Sequence, residues 1–276
     1  MKITVLTLFP ELFAAVTEGS ILGRANEEGL LDVDLVNIRD YTLDKHGRTD
    51  DTPFGGGAGM VFTPEPCFRA LRALGVEPLN GMTGRAEEKA AKRPRLLYPS
   101  PRGRMLDRDL IEELAGEEEL LILCGHYEGV DERILGAFGF EEVSTGDYIL
   151  TGGELPAMTV IDAVARFLPG VLGNEASNDE ESVYSGLLEY PQYTKPRVYE
   201  GLAVPDVLVS GDHEKIRLWR FEQSLRLTKE RRPDLFRAYA ARFEEALRAK
   251  KLPLESGGLS RKELALLKQV VSEERG

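Results

Sequence analysis

The sequence predicts an α/β protein in which a parallel sheet is covered on both faces and is followed by a smaller all-helical C-terminal domain. Three observations predict it. Over roughly the first 170 residues, short apolar runs alternate with segments of helical spacing, the pattern of a parallel sheet with crossover helices. Two of those runs, residues 120–124 and 148–150, stop at glycine turns, Gly125-His126-Tyr127-Glu128-Gly129 and Gly152-Gly153. After about residue 205 only helical periodicity remains.

The elements follow in order. Strands are expected at residues 3–8, 33–38, 95–98, 120–124 and 148–150. Pro10-Glu11 opens a helix, with proline at the first position, where its missing N–H is not needed. Asp107 caps another, whose Leu110, Ile111 and Leu114 recur at helical spacing. Residues 155–167 form a third, ended by Pro169-Gly170. Residues 76–93 are polar and rich in Gly, Lys and Glu, and read as a loop or mobile insertion. Residues 173–186 are polar and acidic and read as a linker. Asp212 caps a helix with Leu218, Phe221 and Leu225 on one face and Arg217, Arg220 and Ser224 on another. Ser260-Arg261-Lys262-Glu263 is a capping box ahead of Leu264, Leu267 and Val271. The expected domains are residues 1–172, a linker at 173–187, and a helical domain at 188–276. No internal repeat is present.

Composition narrows the class. At 276 residues and 42% hydrophobic content the chain can bury a sizeable core. No apolar run approaches the ~20 residues of a membrane span. The opening Met1-Lys2-Ile3-Thr4-Val5-Leu6 enters a strand-like run without a small-residue cleavage site, so no secretory signal is expected. Cys67 and Cys124 lie far apart and offer neither a disulfide framework nor a paired metal motif, so they are expected as buried thiols of a reducing cytoplasm. The net charge of −12 argues against a uniform polyanion binder. Binding depends on where cations lie, however, and basic clusters occur at Lys89, Lys92, Arg93 and Arg95, at Arg102 and Arg104, and at Arg226, Lys229, Arg231 and Arg232.

Several chemistries are excluded by their missing patterns. Gly55-Gly56-Gly57-Ala58-Gly59 is not G-x-G-x-x-G and lacks the acidic ribose partner of a Rossmann unit. There is no phosphate-binding G-x-x-x-x-G-K-[ST], no HExxH, no G-x-S-x-G and no zinc-ligand spacing. His46, His126 and His213 are scattered and are expected in structural or surface roles. Glycine-ended strands in one sheet remain, and they make a crevice at the carboxyl ends of the strands, where open α/β sheets bind ligands.

The ordered wording of these segments resembles one family. Leu123 to Arg133 (LCGHYEGVDER) and Gly146 to Pro156 (GDYILTGGELP) resemble the bacterial tRNA (guanine-N1)-methyltransferases, the TrmD family of the SPOUT class of knotted methyltransferases. The likeness extends to Leu8-Phe9-Pro10-Glu11 and to Asp50 through Met60 (DDTPFGGGAGM). It continues through Tyr98-Pro99-Ser100-Pro101, Arg166 through Gly173 (RFLPGVLG), Gly186-Leu187-Leu188 and Tyr190 through Thr194 (YPQYT), covering roughly residues 1–230.

The resemblance implies transfer of a methyl group from S-adenosylmethionine to N1 of the guanine just 3′ of the tRNA anticodon, position 37. It implies a deep trefoil knot in the α/β domain, a homodimer whose second subunit completes each site, a benefit from Mg2+ that an acidic site such as Glu128 would support, and a cytoplasmic location. Carried over residue by residue, the cofactor site is Tyr98, Pro99, Ser100, Pro101, Gly125, Tyr127 and Glu128, then Thr145, Gly146, Asp147, Tyr148, Ile149 and Leu150, with Gly152, Gly153 and Pro156 behind them. Asp50, Gly55, Gly57 and Gly59 match the loop that holds the target guanine, where glycines let a flipped base approach the backbone. The family cation falls on Arg166, suited to charge developing on the base edge.

The general base departs from the family pattern. Ungapped counting puts the family aspartate at Glu181, with Asp179 two residues earlier; either carboxylate can take the N1 proton, and Glu181 is preferred. The helical domain is expected to grip the anticodon stem through phosphate contacts from Lys195, Arg197, Arg217, Arg220 or Arg226. Residues 76–93 are a candidate cover for the cofactor mouth. Alternative readings are a methyltransferase of the same class acting on another RNA, a non-catalytic RNA-binding protein of this fold, and a small-molecule methyltransferase.

Overall fold

The computed structural model describes residues 1–79, 93–172, 183–249, 253 and 255–273. The chain divides into two compact units, Met1–Glu175 and Ala176–Gly276.

In the first unit five strands, β1 (Lys2–Thr7), β2 (Asp32–Asn37), β3 (Arg95–Met105), β4 (Glu119–Leu123) and β5 (Glu141–Ser144), form one sheet in the order β2-β1-β4-β3-β5. Every neighbouring pair is parallel. The helices are α1 (Ser20–Glu27), α2 (Pro64–Ala73), α3 (Arg108–Ala115), α4 (Glu132–Phe138) and α5 (Glu154–Ala165). Period-2 alternation sorts each strand's side chains between two cores. Ile3, Val5, Leu97, Leu120 and Ile122 pack with Leu110, Leu114, Val160, Ile161 and Val164 on one face. Leu6, Leu96, Leu121 and Leu123 pack with Cys67, Leu71, Ile134 and Phe138 on the other. This is the doubly covered parallel sheet that the alternation predicts.

Local signals act as expected. Residues Pro10–Phe13 form a 3-10 turn that runs into a helical turn at Ala14–Thr17. The Leu110 amide donates to Asp107 at 3.0 Å. Both cysteines are buried and unpaired. Burial pushes the Cys67 thiol up to about 12, with Glu65 adding to it.

One expectation in this unit is corrected. Residues 148–150 are not a strand; Tyr148, Ile149 and Leu150 are exposed by 52%, 80% and 41% and lie in a loop, and the edge strand is β5 instead. Its leading Glu141 and Glu142 hid it, because each is held by a cation of β3: Arg95 binds Glu141 at 2.8 Å and Arg102 binds Glu142 at 3.0 Å. The described ends of the segment 76–93 are loop, as expected, and they are packed against the unit. Val76 is buried, the Leu79 amide donates to Ala137 at 2.7 Å, and Arg93 donates to the Phe138 carbonyl. Residues 80–92, including Lys89 and Lys92, lie outside the described residues.

The second unit carries α6 (His213–Arg231), α7 (Pro233–Ala241), α8 (Glu244–Arg248) and α9 (Arg261–Ser272). Its core joins Leu225, Phe236, Tyr239, Phe243, Leu264 and Leu267. Asp212 caps α6 by accepting from Lys215 at 3.1 Å, and Ser260 and Glu263 form the capping box of α9. Ser224 is buried beside Leu225 rather than on a separate polar face. The unit also holds short hairpins, Val198–Tyr199 with Leu202–Ala203 and Glu255–Ser256 with Leu259–Ser260, which helical periodicity does not predict. No helix among the described residues is long and apolar enough to cross a membrane.

Candidate active site

Because the strands are parallel, their carboxyl ends share one edge, and there the first unit opens into a cavity of about 300 Å³. Small-ligand sites begin near this size. The walls are residues 98–101 of β3, the turn 125–129 after β4, and residues 143–146 and 148–153 leading from β5 into α5.

The two glycine turns are stitched together. The Gly153 amide donates to the Gly125 carbonyl at 2.8 Å, and His126 pairs antiparallel with Gly152. A Cβ on Gly153 would lie 2.8 Å from both Cys124 Cα and Gly125 N. Those are backbone atoms that cannot swing aside, so only glycine fits. On Gly125 a Cβ would meet the Tyr98 hydroxyl at 2.6 Å. Tyr127, inside the first turn, holds a left-handed φ of 62°, a conformation worth about 1–3 kcal/mol of strain in a non-glycine residue. Burial, with Glu142 adding to it, raises the Tyr98 phenol above its usual pKa, so it stays a neutral donor at pH 7.

Beneath the turns lies a buried trio. Glu154, at the start of α5 and 3% exposed, accepts from the Thr7 hydroxyl at 2.6 Å and faces His126 Nε2 at 2.7 Å. Thr7 in turn accepts from the Phe9 amide at 3.0 Å. The carboxylate also sits where a helix N-terminus favours negative charge. The trio ties β1, the first glycine turn and α5 together. Sequence reasoning missed Glu154 and Thr7. An acid opening a helix is an ordinary signal, and 147 residues separate Thr7 from its partner.

The structure gathers the expected cofactor residues well: all of them except Asp147 line this cavity. His126, Gly129, Val143, Ser144 and Thr151 line it as well. Of the expected base-holding loop, Asp50 pairs in register with Phe62, whose amide donates to the Gly129 carbonyl at 3.0 Å. A Cβ on Gly59 would strike the Glu128 side chain at 2.4 Å, so this loop abuts the cavity rim. Gly55 and Gly57, at φ +89° and +126°, follow a fully exposed Phe54 in this loop.

Arg166 is not brought to the cavity within the chain. It follows the last residue of α5, whose 12 residues rise about 18 Å from the cavity end. Asp179 and Glu181 lie outside the described residues. His46 is exposed, and so is His213.

The basic clusters separate by partner. Arg95, Arg102 and Arg104 are ion-paired to glutamates of their own unit. Arg217 pairs with Glu263, and Arg226 with Glu222 and Glu273. Lys229 donates to the Val270 and Glu273 carbonyls, capping the end of α9.

A glycine-walled crevice at the carboxyl edge of a parallel sheet is where open α/β domains bind ligands. A family model described as tRNA (Guanine-1)-methyltransferase TrmD matches residues 1–238. A tRNA (guanine-N(1)-)-methyltransferase of Alkaliphilus oremlandii is 51% identical over 239 residues, 87% of this chain and 93% of the relative. Proteins of the same name from Ruminiclostridium cellulolyticum and Brevibacillus brevis are each 51% identical, covering 86% and 87% of this chain and 96% and 93% of their own. The chain belongs to the tRNA (Guanine-1)-methyltransferase TrmD family.

Proposed function

We propose that this chain is an S-adenosylmethionine-dependent tRNA (guanine-N1)-methyltransferase whose target is the guanine immediately 3′ of the anticodon, position 37. Methylation of tRNA guanine at N1 follows from the family. The observation that carries the site is the stitched pair of glycine turns at the cavity wall, packed so closely that a Cβ on Gly153 would meet the main chain of Cys124 and Gly125 at 2.8 Å.

S-adenosylmethionine supplies an electrophilic methyl group on a sulfonium. The chain's part is to hold, orient and deprotonate. Main-chain groups of residues 125–129 and 145–153 would hold the cofactor's polar edge, with Pro99, Ile149, Leu150 and Pro156 supplying apolar wall. The loop with Asp50, Gly55, Gly57 and Gly59 receives the guanine at the Glu128 rim, with Asp50 accepting from the exocyclic amine. Glu181, or Asp179 two residues before it, takes the N1 proton. Arg166 stabilises the charge that develops at O6.

The second subunit of a homodimer provides Arg166 and the linker carboxylate. This assignment is supported by the length of α5, which separates Arg166 from its own cavity. A knotted threading is supported by the way residues 145–153 return across the end of β4 to bond Gly125. The division near residue 175 supports residues 1–172 as the cofactor domain, 173–187 as the linker and 188–276 as the tRNA-binding domain. The described residues hold no group of three His, Cys, Asp or Glu able to ligate a metal, so any Mg2+ in this proposal rests on the single carboxylate of Glu128. The reaction belongs to the cytoplasm, where tRNA is found.

The test is methyl transfer to unmodified tRNA carrying two guanines at the 3′ boundary of the anticodon, with the product mapped by mass spectrometry. N1-methylguanine at position 37 is expected. Methylation elsewhere would move the proposal to another RNA site, and cofactor binding without transfer would make this a binding protein. Arg166→Ala is expected to lower kcat at least ~100-fold. Whichever of Glu181→Gln and Asp179→Asn costs a comparable factor identifies the base.

A further inference from the structure

The second unit contains a cavity of about 520 Å³, within the ~300–1,000 Å³ of small-ligand sites. Its floor is apolar: Val204 follows the hairpin of Val198–Tyr199 and Leu202–Ala203, Leu208 comes from the 3-10 turn Asp206–Val209, and Ile216 comes from α6. Its rim is aromatic and cationic. Tyr190, Tyr193, Lys195, Arg197 and Arg220 line it, and no carboxylate does, in a chain with a net charge of −12. Ile216 and Arg220 stand four residues apart on one face of α6, which brings the guanidinium above the apolar floor.

The state of these groups separates them from the other cations of the helical unit. Arg217 and Arg226 are spent on internal ion pairs. Arg197 binds Asp206 at 2.9 Å through one nitrogen. Among the described residues, Lys195 and Arg220 have no carboxylate within ion-pair distance. Arg220 lies over the Tyr190 ring at 4.8 Å from its centroid, and Tyr193 is 48% exposed with Trp219 behind it at 6.3 Å. Tyrosine faces beside unpaired cations over an apolar floor fit a flat π-system that carries negative charge. Nucleic-acid sites for single strands combine these groups, stacking a base on aromatics and seating its phosphate on cations.

We propose that this cavity is a second nucleotide subsite, which takes one unpaired nucleotide of the RNA substrate, stacking its base on Tyr193 and seating its phosphate between Lys195 and Arg220. The proposal rests on the tRNA reading above. It adds a base-stacking contact to a unit otherwise expected only to grip duplex phosphates. Unpaired nucleotides occur in loops, so the subsite reports whether a loop, and not only a stem, is docked.

Trp219 is the single tryptophan of the chain, and its place behind Tyr193 makes it a reporter. Titrating the full-length protein with a single-stranded RNA pentamer is expected to change tryptophan fluorescence saturably. A duplex of the same length is expected to leave it unchanged. Tyr193→Ala and Arg220→Gln should each weaken pentamer and tRNA binding about tenfold or more, while Tyr193→Phe, which keeps the ring, stays near wild type. In methyl transfer, Tyr193→Ala should raise the KM for tRNA by a like factor and leave the KM for S-adenosylmethionine alone.

Equal pentamer and tRNA affinities for wild type, Tyr193→Ala and Arg220→Gln would overturn the proposal. A change of assembly state in Tyr193→Ala by sedimentation would also overturn it, by assigning the face to a second copy. Absence of methyl transfer in the wild type, with the fluorescence change intact, would instead overturn the proposed reaction and leave the subsite standing.

Discussion

Glu154 is the residue on which the cavity turns. It is a carboxylate with almost no solvent, held by one hydroxyl and one imidazole drawn from distant parts of the chain. Removing it strands both partners in a buried place, and an unsatisfied buried group costs about 1–3 kcal/mol. Glu154→Ala is therefore expected to lower the melting temperature of the protein and to raise the KM for S-adenosylmethionine, because His126 no longer holds its strand-like pairing to Gly152. Unchanged melting would mean that the trio stabilises nothing. The two thiols are a second case at this scale. Cys67, pushed up to about 12 from an ordinary 9.0, stays protonated and enclosed in the native state. Thiol reagents at pH 8 should label neither cysteine until the chain unfolds. The sign of the linkage follows from the raised value: the stabilisation is complete below about pH 9 and drains away as pH climbs toward 12, which thermal melts between pH 8 and 11 would show.

At the scale of elements, the segments 98–101, 125–129 and 145–153 form the cavity wall, and their legibility differs. Residues 125–129 are legible because glycine follows a buried apolar strand there, and residues 152–153 because a glycine pair directly precedes a helix. Residues 148–150 were misread as a strand. Their apolar side chains line a cavity instead of a sheet, and periodicity alone cannot separate those two uses of an apolar run. β5 was missed for the opposite reason, since an edge strand can open with two glutamates when arginines on the neighbouring strand neutralise them. Gly153→Ala is the sharpest test of the cradle. Its Cβ meets only main chain, so α5 or the Cys124 turn must shift, and cofactor affinity is expected to fall more than tenfold in equilibrium dialysis while the helical unit keeps its fold. Wild-type affinity would show that the backbone yields more easily than the packing implies.

For the whole molecule, the proposal that Arg166 serves a cavity at the other end of α5 requires a second copy of the chain, and mixing tests it. Gly153→Ala and Arg166→Ala proteins, each inactive alone, should recover about a quarter of wild-type activity when unfolded and refolded together, because half the dimers are mixed and each carries one intact site. No recovery would place both contributions in one chain. The same geometry explains what the sequence could not tell. Motifs report which residues share a local turn, as at Gly125 and Gly152. They do not report that Arg166 is separated from that turn by the length of α5, nor that most described basic clusters are paired with glutamates of their own unit while, among the described residues, Lys195 and Arg220 have no carboxylate partner.

The cradle formed by Gly125, Gly152 and Gly153 also bears on drug resistance. An inhibitor that hydrogen-bonds only to the main chain of these turns meets atoms every amino acid possesses, and the positions where a substitution would displace it are those where any added carbon breaks the enzyme's own packing. Escape by a single codon change at these glycines would disable the enzyme along with the inhibitor's site.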